Sequence, residues 1–121
     1  MVRSYGLTHL NLAVRDLDRS VAFYAEAFGA REYARVDGVA HLQGPGPHVI
    51  LSLDGTAPHA GSSGGIAHFG FRLIDPGDLD VAIESVTSAG GKLLRRGEFA
   101  PGVPFAYVAD PDGYEIELWY E

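Results

Sequence analysis

The sequence predicts an α+β fold of two βαβββ modules that form a curved sheet cup, and three observations predict it. Thr8-His9-Leu10-Asn11-Leu12-Ala13-Val14 and Ala67-His68-Phe69-Gly70-Phe71-Arg72-Leu73 open the two halves with one pattern. Each opening is followed by an acidic turn, an amphipathic helical stretch and a glycine. Three strand-like runs then close each half. An internal repeat sets the architecture before any local reading does, and a sheet with one apolar face needs a second layer to cover it.

The elements follow in order. Residues 7–14 alternate and are rich in Leu and Val, which predicts a strand. Asp16 and Asp18 are candidate N-caps for a helix whose stripe is Val21, Tyr24, Ala25 and Phe28, with Gly29 ending it in a left-handed conformation. Residues 31–36 and 39–42 form a hairpin about Asp37-Gly38. Gly44-Pro45-Gly46-Pro47 turns the chain into a strand from His48 to Leu53. In the second half, 66–74 is a strand, and Pro76-Gly77-Asp78 starts a helix with the stripe Leu79, Ala82, Ile83 and Val86. Gly90-Gly91 ends that helix, and strands follow at 92–98, 104–109 and 114–120. The whole is read as a single domain, 1–121. Its first module covers 5–54, a linker loop rich in Gly, Ser and Pro covers 55–65, and the second module covers 66–121.

Composition narrows the function. The 121 residues are 46% hydrophobic, enough for a core, and carry a net charge of -7. Nucleic acid and anionic membrane surfaces both need a basic footprint, so neither is an expected partner. With no cysteine there is no disulfide, thiolate metal site or thiol nucleophile. The start of the chain carries no signal-peptide pattern and no apolar run has spanning length, so the expectation is a cytoplasmic protein.

Two histidines, His9 and His68, stand at matching points of the repeated opening strands. Glu117 lies on the last strand, on one face with Glu115 and Trp119, while Ile116 and Leu118 share the other. A carboxylate aimed into a half-buried cup requires a charged partner. Two imidazoles and a divalent cation would provide one, and two His with one carboxylate leave open positions for substrate. Each residue alone is an ordinary rim or strand residue; the internal symmetry is what joins them.

With these residues in hand, the chain resembles the vicinal oxygen chelate superfamily of glyoxalase I, bleomycin-resistance proteins, fosfomycin-resistance enzymes and type I extradiol dioxygenases. The likeness rests on the Thr8–Val14 run with Asp16, on Ser20-Val21-Ala22-Phe23-Tyr24 and Phe28-Gly29, and on Ala67-His68-Phe69-Gly70-Phe71. It continues in Asp110-Pro111-Asp112-Gly113-Tyr114-Glu115-Ile116-Glu117-Leu118. The resemblance implies metal ligation by His9, His68 and Glu117, with Fe(II) or Mn(II) as the metal and Zn(II) or Ni(II) also compatible. It implies a small-molecule substrate and a homodimer, with the site built either within one chain or across two.

Members similar to glyoxalase I place a fourth ligand on the last strand of the first module. Alignment of the two halves puts Leu51 there, and a slip of one residue would bring in Ser52. A leucine there counts against a glyoxalase or epimerase reaction. Tyr107, ten residues before Glu117, resembles a tyrosine that steadies a metal-bound oxyanion. His41 is its counterpart in the first module. His59, in the loop, is the candidate base for an extradiol reaction. Asn11, His41, Phe105 and Trp119 are candidate substrate contacts.

The leading expectation is an extradiol-type dioxygenase acting on a catechol-like substrate. The alternatives are a metal-dependent thiol transferase or lyase, of the fosfomycin-resistance or glyoxalase I kind, and a metal-free drug-binding protein of the bleomycin-resistance kind. A phosphonate substrate needs several cations, whereas Arg35, Lys92, Arg95 and Arg96 read as a solvated face.

Overall fold

A computed structural model describes all residues from Met1 to Glu121. The chain divides into an N-terminal unit, Met1–Ala60, and a C-terminal unit, Gly61–Glu121. Each is a mixed four-stranded sheet carrying one helix, so the α+β class and the doubled βαβββ order are both present.

In the N-terminal unit the elements are β1 (His9–Ala13), α1 (Leu17–Phe28), β2 (Arg31–Val36), β3 (Val39–Gln43) and β4 (Ile50–Asp54). The sheet order is β1-β4-β3-β2, with β1 parallel to β4 and the other pairs antiparallel. Asp16 caps α1, its carboxylate accepting from the Arg19 N–H at 3.0 Å. Gly29 ends the helix at φ 68°, a value that costs a side chain but not a glycine. Asp37 and Gly38, at φ 50° and 82°, make the hairpin turn whose twist matches its strands.

The buried stripe of α1 is rotated from the predicted one. Ser20, Phe23 and Tyr24 are buried while Ala25 is exposed. Phe23 meets Tyr24 edge-on at 5.0 Å and Phe28 at 6.0 Å, so aromatic packing sets the rotation. With Leu12, Ala40, Leu42, Leu51 and Leu53 these rings form the core on one face of the sheet. The opposite face carries His9, His41 and Ser52.

The C-terminal unit contains β5 (Phe69–Arg72), α2 (Leu79–Ser88), β6 (Lys92–Ala100), β7 (Val103–Ala109) and β8 (Glu115–Trp119), in sheet order β5-β8-β7-β6. A 3-10 turn, Pro76–Asp78, precedes α2, and Asp75 caps it by accepting from the Gly77 N–H at 2.7 Å. Leu79 and Val86 of α2 are buried, as are Ala106, Val108, Ile116 and Leu118 of the sheet. Strand alternation therefore turns Tyr107, Glu115, Glu117 and Trp119 to the other face.

The turn between β7 and β8 fixes the register on which the site depends. The Asp110 carboxylate, 4% exposed as a residue, accepts from the Asp112 and Tyr114 N–H groups, both at 2.9 Å. Gly113 takes φ 96° and donates to the Asp110 carbonyl at 3.0 Å. Pairing then runs Ala109 with Glu115 and Tyr107 with Glu117. No helix is long and apolar enough to cross a membrane.

Candidate functional site

Glu117 is the centre of a cluster on the open face of the C-terminal sheet. His68, just before β5, lies beside it because β5 runs parallel to β8 with Gly70 opposite Glu117. His68 Nε2 is 3.1 Å from Glu117 Oε2, with side-chain exposures of 36% and 12%. Tyr107 donates its hydroxyl to Glu117 Oε1 at 3.1 Å and stands edge-on to the His68 ring at 5.1 Å. A side chain at position 70 would come within 3.0 Å of the Glu117 carbonyl oxygen and 3.6 Å of Trp119 Nε1, so the glycine makes room for both neighbours.

Arg95 belongs to this face as well. Its guanidinium lies 4.0 Å over the Tyr107 ring and pairs with Glu115. Its side chain is 56% exposed, so it remains on a solvated face while making both contacts. Phe105 lies edge-on to Tyr107 at 5.7 Å, over Gly97, and stacks on Phe99 at 4.4 Å. Trp119 lies under the Arg72 guanidinium at 5.5 Å. Loss of water around the Tyr107 hydroxyl, then its bond to the Glu117 carboxylate and that group's charge, push the phenol above its ordinary value of 10, while Arg95 opposes them. The phenol thus stays protonated, and stays a donor, at neutral pH.

A raised acid favours the folded state below the phenol's unfolded value and loses that contribution as pH rises through the folded one. Alkaline titration of the metal-free protein, followed by tyrosinate absorbance, is expected to show Tyr107 ionising in a late step above the ordinary value. Tyr107→Phe should remove that step and no other. A wild-type curve in which every tyrosine ionises together would contradict the geometry.

The N-terminal unit holds a matching cluster. His9 Nε2 is 3.1 Å from Ser52 Oγ, and His41 Nδ1 is 2.8 Å from the same oxygen. Ser52 is 1% exposed. Asn11, exposed on β1, pairs in register with Ser52, as Gly70 does with Glu117. His41 pairs with Ser52 across β3 and β4, as Tyr107 does with Glu117 across β7 and β8. Ser52 and His41 are therefore the N-terminal equivalents of Glu117 and Tyr107.

This corrects the placement of Leu51 as the fourth-ligand position. Leu51 is 3% exposed and faces the core. The cause is loop length, since six residues (44–49) join β3 to β4 but five (110–114) join β7 to β8. His59, the other candidate catalytic residue, is exposed in a left-handed turn at φ 66°.

Neither unit gathers three His, Asp or Glu side chains into one cation site. The pair that the C-terminal unit does assemble fits two ligands of a single ion. Bonds of about 2.1 Å at a right angle place neighbouring donor atoms about 3.0 Å apart, close to the 3.1 Å between His68 Nε2 and Glu117 Oε2. An imidazole with a carboxylate suits Fe(II), Mn(II), Zn(II) or Ni(II).

Fold and clusters together define a protein of paired βαβββ units that carries imidazole, carboxylate and phenol groups on its open sheet faces. The chain belongs to the Glyoxalase/Bleomycin resistance protein/Dioxygenase superfamily, whose family model matches residues 6–118. It is 31% identical over 114 residues to the glutathione transferase FosA of Serratia marcescens, covering 93% of this chain and 79% of that protein. It is also 31% identical over 120 residues to the catechol-2,3-dioxygenase of Bacillus subtilis, covering 93% of this chain but 41% of that protein. The chain thus spans well under half of that dioxygenase. Among solved structures, a glyoxalase-related enzyme from Fulvimarina pelagi matches with a TM-score of 0.78 at 25% identity, over 98% of this chain and 89% of that one. Members of the superfamily are mostly metal-dependent enzymes, among them dioxygenases, lyases and transferases, and generally use divalent metals.

Proposed function

We propose that this chain is a metal-dependent enzyme with a His9, His68 and Glu117 ligand set, acting as an extradiol-type dioxygenase on a catechol-like substrate. The observation that carries the reading is the 3.1 Å spacing of His68 Nε2 and Glu117 Oε2 beside a phenol that remains a donor at neutral pH. A bound Fe(II) or Mn(II) would supply Lewis acidity toward two neighbouring oxygens and a route for electrons to dioxygen. Tyr107 would donate a hydrogen bond to the anionic oxygen of the substrate, a contact that strengthens as charge develops. Arg95, over the Tyr107 ring and paired with Glu115, holds that ring in place. Phe105 and Trp119 offer flat apolar surfaces to an aromatic ring.

The relation to FosA, with its long shared span, supports thiol addition as the second reading. Against it, the arginines that a phosphonate would need are engaged by acids. Arg35 holds Asp18 and Glu32, Arg95 holds Glu115, and Arg96 holds Asp80.

Oxygen consumption separates the two readings. Protein loaded with Fe(II) without air is expected to take up about one dioxygen per catechol and to form a coloured ring-cleavage product. A catechol panel that produces no uptake by fully loaded protein would remove the dioxygenase reading.

A further inference from the structure

Phe99 is 60% exposed, although a side chain of its kind is commonly buried. It lies on the open face of the C-terminal sheet, stacked on Phe105 with ring centres 4.4 Å apart and planes inclined by 26°. Phe105 in turn stands edge-on to Tyr107. Strand register arranges this face in two rows. Arg95, Tyr107 and Glu117 pair across β6, β7 and β8 in the first row, with the His68 ring beside them. Gly97, Phe105 and Trp119 pair in the second, next to Phe99. The rows are two residues apart along the strands, a separation of about 6.8 Å.

Gly97 shapes the second row. A Cβ at this position would meet Phe105 Cζ at 3.0 Å and Cε1 at 3.2 Å. The backbone here is not left-handed, so the missing side chain serves the close approach of the ring. Phe105 therefore lies low across β6, where it and Phe99 make one continuous aromatic shelf. The shelf offers little to a charged group. Arg95 is held by Glu115, and Arg72 by the Trp119 ring and the Glu121 carbonyl.

We infer that the substrate is a catechol carrying an aromatic substituent, and that Phe99, Phe105 and Gly97 form the subsite for that second ring; the inference rests on the catechol reading above. A catechol anchored through its oxygens beside Glu117 and Tyr107 needs a further group to cover a shelf one row away. Flat rings stack on such a surface in offset or edge-on arrangements. Every residue of the subsite belongs to the C-terminal unit and to one sheet.

The test measures affinity rather than turnover. Zn(II)-loaded protein, which cannot reduce dioxygen, is titrated by calorimetry with catechol, 3-phenylcatechol, 4-phenylcatechol and 3,4-dihydroxybenzoate. At least one phenylcatechol is expected to bind about tenfold or more tightly than catechol, as burial of a further ring implies. Phe99→Ala removes an exposed side chain, and Gly97→Ala lifts Phe105 from its place. Each should reduce the preference for the phenyl group by about threefold or more. Equal affinity for catechol and both phenylcatechols overturns the inference and leaves the catechol reading intact. The same holds for a preference that neither variant reduces, which would put the second ring elsewhere, and for tighter binding of 3,4-dihydroxybenzoate than of either phenylcatechol. Wild type that binds none of the four overturns both.

Discussion

Glu117→Gln is expected to lose the metal and keep the fold. Wild type isolated without chelator should carry about one divalent ion per chain by elemental analysis. The glutamine variant should carry almost none, with affinity reduced by more than the roughly 10–100-fold that follows loss of an outer-shell partner. The reason is charge, not shape. Glutamine keeps the size of the side chain, and its carbonyl can accept from His68 Nε2–H while its amide donates to the Tyr107 oxygen. Both contacts of the metal-free cluster, at 3.1 Å each, therefore survive in reoriented form. A neutral amide oxygen is a far weaker ligand than a carboxylate for a divalent ion. The melting temperature of metal-free variant and metal-free wild type should agree, while added metal should stabilise wild type alone by mass action. His68→Ala should lose metal as well. Wild type that arrives metal-free, and whose melting temperature ignores both chelator and added Fe(II), Mn(II), Zn(II) and Ni(II), would end the metal reading.

The sequence revealed the fold because two levels of pattern agreed. The repeat gave module order, Gly29 and the Asp37-Gly38 turn marked boundaries through left-handed backbone that other residues resist, and Asp16 marked one through its capping carboxylate. Glu117 and Tyr107 were legible together because a spacing of ten residues across a tight turn sets them opposite each other. Ser52 was legible only as the one-residue alternative to Leu51, because register in the other module depends on a loop one residue longer, and one residue exchanges the two faces of a strand. Its only local signal was a lone hydroxyl between Leu51 and Leu53, in a strand otherwise rich in aliphatic residues. Arg95 was hidden for a related reason. A register shift between Leu93 and Arg95 turns it to the side of Tyr107, and no composition rule anticipates a bulge. The tilt of α1 toward Phe23 was decided by ring packing, which a period of 3.6 residues does not encode.

Asp110→Ala is expected to be the most damaging single change outside the ligand set, since one buried carboxylate oxygen organises the whole β7–β8 turn. It accepts two backbone N–H groups at 2.9 Å, from Asp112 and Tyr114. Hydrogen bonds to charged groups contribute about 1.5–3 kcal/mol each, and donors left buried without an acceptor add to the loss. A net cost of roughly 3 kcal/mol follows once turn relaxation and new water contacts are allowed for. At about 4 °C per kcal/mol for a domain of this size, the melting temperature should fall by roughly 12 °C. Asp110→Asn offers the discriminating comparison. Its amide oxygen can take both bonds without the charge, so it should cost about 1 kcal/mol. Loosening the turn also loosens the pairing of Tyr107 with Glu117. The alanine variant should therefore bind metal more weakly even at temperatures where it is fully folded, while the asparagine variant should not. Chemical denaturation of the three metal-free proteins measures the first effect and metal titration the second. An alanine variant within about 1 kcal/mol of wild type would mean that the strands hold their own register and that the turn merely follows it.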